Sequence, residues 1–176
     1  RKRTEEALQF LADASASLAA LIDRDSALQQ AAASVVPFFA DWCVVYALRP
    51  DGTIGSPASA HRDPAKQQLL REFLAEYPVD WESPSVTVRA WRTGHTQFIA
   101  QLTDEQLKKL GQNDKLMKSL WSLNPRSVIS VPMKIRERTI GVISFVQSDS
   151  GRPYTDSDVP LAEDLARRVA TALDNA

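Results

Sequence analysis

The sequence predicts an α+β domain built on a mostly antiparallel sheet, with helices at both termini and a helical insert on the other side. Three observations carry this. Helical periodicity occupies both ends of the 176 residues. Two apolar hairpins stand early and late in the chain, each around a polar turn. Between them lie several short amphipathic stretches with helix-start and helix-stop residues. The length suits one domain with helical extensions and is enough to bury roughly 70% of the unfolded chain's surface.

Residues 4–22 read as a helix in which Ala7, Leu11, Ala14, Leu18 and Leu21 recur with heptad spacing. Such a stripe serves either a helix-helix seam or the domain's own core. Asp25 is the expected N-cap of a second helix, which runs to Val36 and stops at Pro37. Its apolar face is Leu28, Ala31, Ala32 and Val35. The period then shortens: Asp41 to Arg49 is β-branched and aromatic, Pro50-Asp51-Gly52-Thr53 is a turn, and Ile54 to His61 returns as a paired strand. Asp63-Pro64 opens the next helix, with Asp as cap and Pro at the first helical position. Its apolar residues are Leu69, Leu70, Phe73 and Leu74.

Val86 to Thr93 is a short helix closed by Gly94, a left-handed C-cap. Thr96 to Ala100 is a strand. Thr103 and Gln106 form a capping box for a helix over 104–110, and Asp114 to Leu123 is helical. Arg126 to Ile135 and Thr139 to Gln147 pair through a tight turn at Arg136-Glu137-Arg138. Pro132 marks an edge or a bulge there. Thr155 and Asp158 start the last helix, whose Ala162, Leu165, Val169 and Ala172 form a second heptad seam. Pairing of the two terminal seams would let a homodimer form through the terminal helices.

Composition removes several function classes. With 21 basic and 22 acidic residues the net charge is −1, unlike the basic footprint of a nucleic-acid binder or of a domain docking on anionic lipid. One cysteine, Cys43, excludes an internal disulfide and a Cys-rich zinc site. The longest apolar region, Ser34 to Leu48, is broken by Pro37 and Asp41, so no membrane span is expected. The chain opens with charged residues, shows no signal peptide and has no initiator Met, which suggests a segment of a longer, cytoplasmic protein.

Chemistry is sparse. The two histidines, His61 and His95, have no metal-ligand spacing. Six glycines are scattered and form no phosphate loop, and no nucleophile elbow exists. Cys43 sits mid-strand, the setting of an inert thiol. No catalytic residue and no metal ligand are assigned. Three of the four tryptophans, Trp81, Trp91 and Trp121, fall in the insert or its loops. They line a small-molecule pocket or form a minor core beneath the insert.

The segments ALQQAAASVVPFFADWCVVYALRPDGTI (27–54), AHRDPAKQQLL (60–70), VRAWRTGHTQFI (88–99) and SVISVPMKIRERTIGVISFVQSDSGRPYTDSDVPLAEDLARRVATALDNA (127–176) together resemble the GAF domain, a PAS-related sensing fold, as found in bacterial multi-domain sensor proteins of the histidine-kinase type. The resemblance implies a central antiparallel sheet of five or six strands, the terminal helices on one face and the insert 63–125 on the other. It divides the chain into a linker helix (1–22), a core (23–155) and a C-terminal signalling helix (156–176). It implies a regulatory module rather than an enzyme, with neighbouring PAS or kinase domains in the parent chain and an unknown small molecule as ligand. The marks of the cyclic-nucleotide, bilin and haem subfamilies are missing, so the resemblance names no cofactor. With the pocket between sheet and insert, its expected lining is Tyr46, His61, Trp91, Phe98 and Ser130. Two other readings go with the fold: a dimerisation and relay module with a vestigial pocket, and a GAF-fold redox enzyme, which would need reactive cysteines.

Overall fold

The structure, a computed structural model, describes residues 5–9, 24–110 and 114–175. Most of the first heptad stripe, Leu11 to Leu21, lies outside the described residues. Of that stripe only Ala7 is described, and it is buried.

Five strands form one antiparallel sheet: β1 (Trp42–Ala47), β2 (Ala58–His61), β3 (Gln97–Ile99), β4 (Ser127–Ile135) and β5 (Arg138–Gln147), in the order β2-β1-β5-β4-β3. The helices are α1 (Arg24–Ser34), α2 (Pro64–Glu76), α3 (Val86–Thr93), α4 (Asp104–Leu110), α5 (Asp114–Leu123) and α6 (Val159–Asp174).

Strand alternation sorts the side chains onto two faces. Cys43, Val45, Ile129, Val131, Ile143 and Phe145 meet α1 and α6 in the larger core. Trp42, Val44, Tyr46, Val128, Val142 and Val146 meet the insert helices in a second core. Among the described residues α1 and α6 therefore share one face and the insert helices the other, as expected for the C-terminal helix and the insert; the expected N-terminal helix lies mostly outside the described residues.

Local signals explain most boundaries. Asp63 accepts a hydrogen bond from the Ala65 amide at 2.9 Å and Pro64 begins α2. Gly94, at φ 70°, closes α3. Thr103 and Gln106 exchange the two capping-box bonds ahead of α4. Arg136 and Glu137 both take positive φ, the backbone of a two-residue hairpin turn. Pro132 sits where β4 has run beyond its pairing with β3, and the register with β5 shifts one residue later, so it marks both an edge and an irregularity.

Three expectations change. Asp25 lies inside the first turn of α1 rather than capping it. The return strand from Ile54 is not continuous: after one bridge to Leu48 the chain leaves the ladder through Gly55, Ser56 and Pro57 and pairs again only at Ala58. Pro57 has no amide to donate and stands at the last residue of this interruption. Of the α6 stripe, Ala162, Leu165 and Val169 are buried in the domain's own core and Ala172 is partly buried against it, so three of its four residues serve that core.

Candidate functional site

The excursion at residues 55–57 has a structural consequence. It holds the β1–β2 connection away from α2 and opens a cleft of about 430 Å3, within the usual size of small-molecule sites. Tyr46 and Ser59 come from the sheet. Arg49, Ile54, Gly55, Ser56 and Pro57 come from the connection. Arg71, Leu74 and Ala75 come from α2, and Pro78, Val79 and Trp81 from the following loop.

Aromatic packing builds the inner wall. Trp81 meets Tyr46 edge-on at 5.5 Å between ring centres and Trp91 at 5.2 Å. Tyr46 is only 6% exposed, and burial raises its phenol above the ordinary range, keeping it protonated. Among the described residues its hydroxyl has no hydrogen-bond partner. It is a neutral donor left for an incoming group.

The only charged residues lining the cleft are Arg49 and Arg71, and among the described residues neither is ion-paired. Arg71 reaches only the Gln68 side-chain oxygen, at 3.3 Å. Arg49 lies across Gly55 so closely that a Cβ there would stand 3.1 Å from its Nε. A tight turn sets its backbone: its amide donates to Thr53 O at 2.7 Å and its carbonyl accepts from Gly52 at 2.9 Å. Asp51, on that turn, is held below its usual range chiefly by the Thr53 hydroxyl and amide, with Arg49 a lesser influence.

The five residues expected from the sequence separate. Tyr46 lines the cleft and Trp91 backs it through Trp81. Ser130 shares the insert face but lies deep under α3, its hydroxyl 2.7 Å from that of Ser144, which is 3.0 Å from Thr87. His61 sits on the same face at the other end of the sheet, beside Ser148 and Ser150. There its Nδ1 accepts from the Asp63 amide at 2.9 Å. Burial first, and the Lys66 charge second, push this imidazole below its ordinary pKa. Phe98 points the other way, against the terminal-helix core, because it pairs with Ile129 on that face. The parity of a three-residue strand between loops was one step off, and one step exchanges the faces.

Arg49, Arg71 and Val79 were missed. Arg71 stands three residues before Leu74, on one side of the α2 stripe, which is the signal that could have found it. Two hollows of similar volume lie elsewhere: one by Gly94–Thr96 and Lys134, where Arg167 pairs with Asp164 at 2.6 Å, and one by Gln101–Asp104, where Arg126 pairs with Asp104 at 2.7 Å beside Arg152. Among the described residues no cluster could hold a metal ion, and no helix is long and apolar enough to cross a membrane.

The family model described as GAF domain matches residues 23–175. No curated protein matches the sequence. Among solved structures, the GAF domain of a phosphoenolpyruvate-protein phosphotransferase from Coxiella burnetii superposes with a TM-score of 0.66 at 15% identity, covering 97% of this chain and 94% of that one. Free methionine-R-sulfoxide reductase from Neisseria meningitidis, in complex with its substrate, gives 0.60 at 17% identity, covering 99% and 91%. A GAF domain/HD domain protein from Geobacter sulfurreducens gives 0.58 at 20%, covering 92% and 96%. At these identities the likeness is one of fold.

Proposed function

The chain belongs to the GAF domain family, and from that premise we propose that it is a regulatory sensor module that takes up a small molecule in the cleft between the β1–β2 connection and α2. The observation that carries the reading is the cleft's lining: an aromatic wall, a phenol without a partner and two unpaired arginines.

A route for the signal adjoins it. Arg24, at the start of α1, donates from Nη2 to Leu48 O at 2.8 Å and from Nη1 to Leu173 O at 3.0 Å. Leu48 is the residue before Arg49. Leu173 is in the last turn of α6, where a cation satisfies free carbonyls and complements the helix dipole. One guanidinium thus ties the cleft's hairpin to both helices of the opposite face. A ligand that draws Arg49 inward acts on that tie, provided that it favours one arrangement over the other.

The parent context, a cytoplasmic multi-domain sensor of the histidine-kinase type, is part of this proposal and rests on the sequence resemblance. The redox-enzyme reading has little to support it, because Cys43, the single cysteine, is fully buried on the face away from the cleft and burial pushes its thiol pKa up. A thermal-shift panel of metabolites tests the main proposal. A ligand at a hundred times its Kd adds about 2.7 kcal/mol, and binding should move the Trp81 indole N–H resonance. A panel in which no stabilising compound moves Trp81 would refute it.

A further inference from the structure

The same cleft also specifies a chemical class of ligand, an inference that rests on the proposed function. We propose that the ligand is a planar aromatic anion, its ring against Trp81 and its carboxylate or phosphate between Arg49 and Arg71.

The ring side follows from Tyr46, Leu74, Val79 and Trp81, which together line the cleft with an apolar and aromatic wall, Trp81 being half-buried. The Tyr46–Trp81–Trp91 array is already edge-to-face, so a flat ring extends it by the same geometry. The anion side follows from charge. No acidic side chain lines the cleft, while both of its charged residues are arginines. In a chain of net charge −1, a lining of two unpaired guanidiniums is a local excess that favours a negative ligand. Arginine presents a planar fork that matches carboxylate or phosphate oxygens. The protonated Tyr46 hydroxyl adds a neutral donor from the wall. A cationic ligand would meet two like charges there with no carboxylate to offset them.

The probes are 2-naphthoate, 2-naphthyl phosphate and the uncharged 2-naphthamide. They are titrated by calorimetry and by the Trp81 indole resonance into wild type, Arg49→Gln, Arg71→Gln and the double variant. Both arginines are exposed, so the variants should fold, which circular dichroism verifies. The expected result is at least tenfold tighter binding of one or both anions than of the amide. That ratio should fall toward one in the double variant while amide affinity stays unchanged, and it should shrink with added salt. A carboxylate preference and a phosphate preference would both support the class and would tell its two members apart. Equal affinities for anion and amide, with Trp81 moving, would overturn the anion class and leave the cleft reading standing. An anion preference that survives the double substitution would overturn it too. If none of the three moves Trp81, the class falls, and the metabolite panel alone decides the cleft reading.

Discussion

Replacing Asp41 by alanine should cost far more stability than removing the charge of its partner Arg62. Asp41 is the first residue before β1 and is fully buried. Its Oδ2 accepts from the amides of Ser148 at 2.6 Å and Ser150 at 3.1 Å, and its Oδ1 from Arg62 Nη1 at 2.8 Å. The carboxylate therefore pins the connection between β5 and α6 to the start of β1. Hydrogen bonds to a charged group are worth roughly 1.5–3 kcal/mol each. The Arg62 side chain is 37% exposed, so its share is discounted to under about 1 kcal/mol. The buried Ser148 amide supplies most of the remainder, giving a cost of about 3 kcal/mol for Asp41→Ala and a fall in Tm of roughly 6–12 °C for a chain of this length. Arg62→Ala should cost under about 1 kcal/mol. Burial alone would raise the Asp41 pKa, but the bonds from Ser150, Ser148 and Arg62 outweigh it and hold the group below its ordinary value. Its contribution is thus present above the unfolded carboxylate pKa of about 3.9 and is lost as pH falls through the lower folded value. Urea unfolding followed by tryptophan fluorescence, for both variants at pH 7 and at pH 3, measures this. A cost below 1 kcal/mol for Asp41→Ala, or equal costs for the two variants, would refute the reasoning.

Further outcomes follow from the same geometry. Gly141→Ala should cost about 2–3 kcal/mol in a urea titration, because a Cβ there meets both Met133 Cε and the Tyr46 carbonyl oxygen; shortening Met133 should not restore stability, since the carbonyl is backbone. Stability should fall as pH drops from 7 to 5, because the folded His61 has a lowered pKa and the unfolded chain then binds more protons; His61→Gln should flatten that slope in denaturant titrations. Gln67→Leu should cost about 1–2 kcal/mol and speed hydrogen exchange at the His61 amide, since Gln67 Oε1 accepts from that amide at 2.6 Å on the outer edge of β2.

Most element boundaries were legible because local chemistry sets them. Asp63-Pro64, Gly94, Thr103 with Gln106, and Thr155 with Asp158 each satisfy helix-end groups within a few residues of themselves. The site was less legible, because it depends on what the chain does between strands. Residues 54–61 have the composition of a strand, yet the chain leaves the ladder at 55–57, and those residues form one wall of the cleft that Arg49 and Arg71 also line. Strand parity decided the rest. Tyr46 and Ser130 face the insert as expected, whereas Phe98 faces away. The α6 stripe shows a further limit: heptad spacing describes a helix that meets a neighbour, and a sheet serves as that neighbour as well as another helix does.

The central claim, that cleft occupancy is felt by the terminal helices, is tested most directly by hydrogen exchange at the amides of the last turn of α6, Ala170 to Asp174. It would be measured with and without a saturating cleft ligand, in wild type and in Arg24→Gln. The account predicts that the ligand changes exchange at these amides in wild type, and that Arg24→Gln abolishes the change while leaving the ligand's Kd within about threefold. Exchange in α6 that is indifferent to the ligand in wild type, or that responds equally in Arg24→Gln, would contradict it.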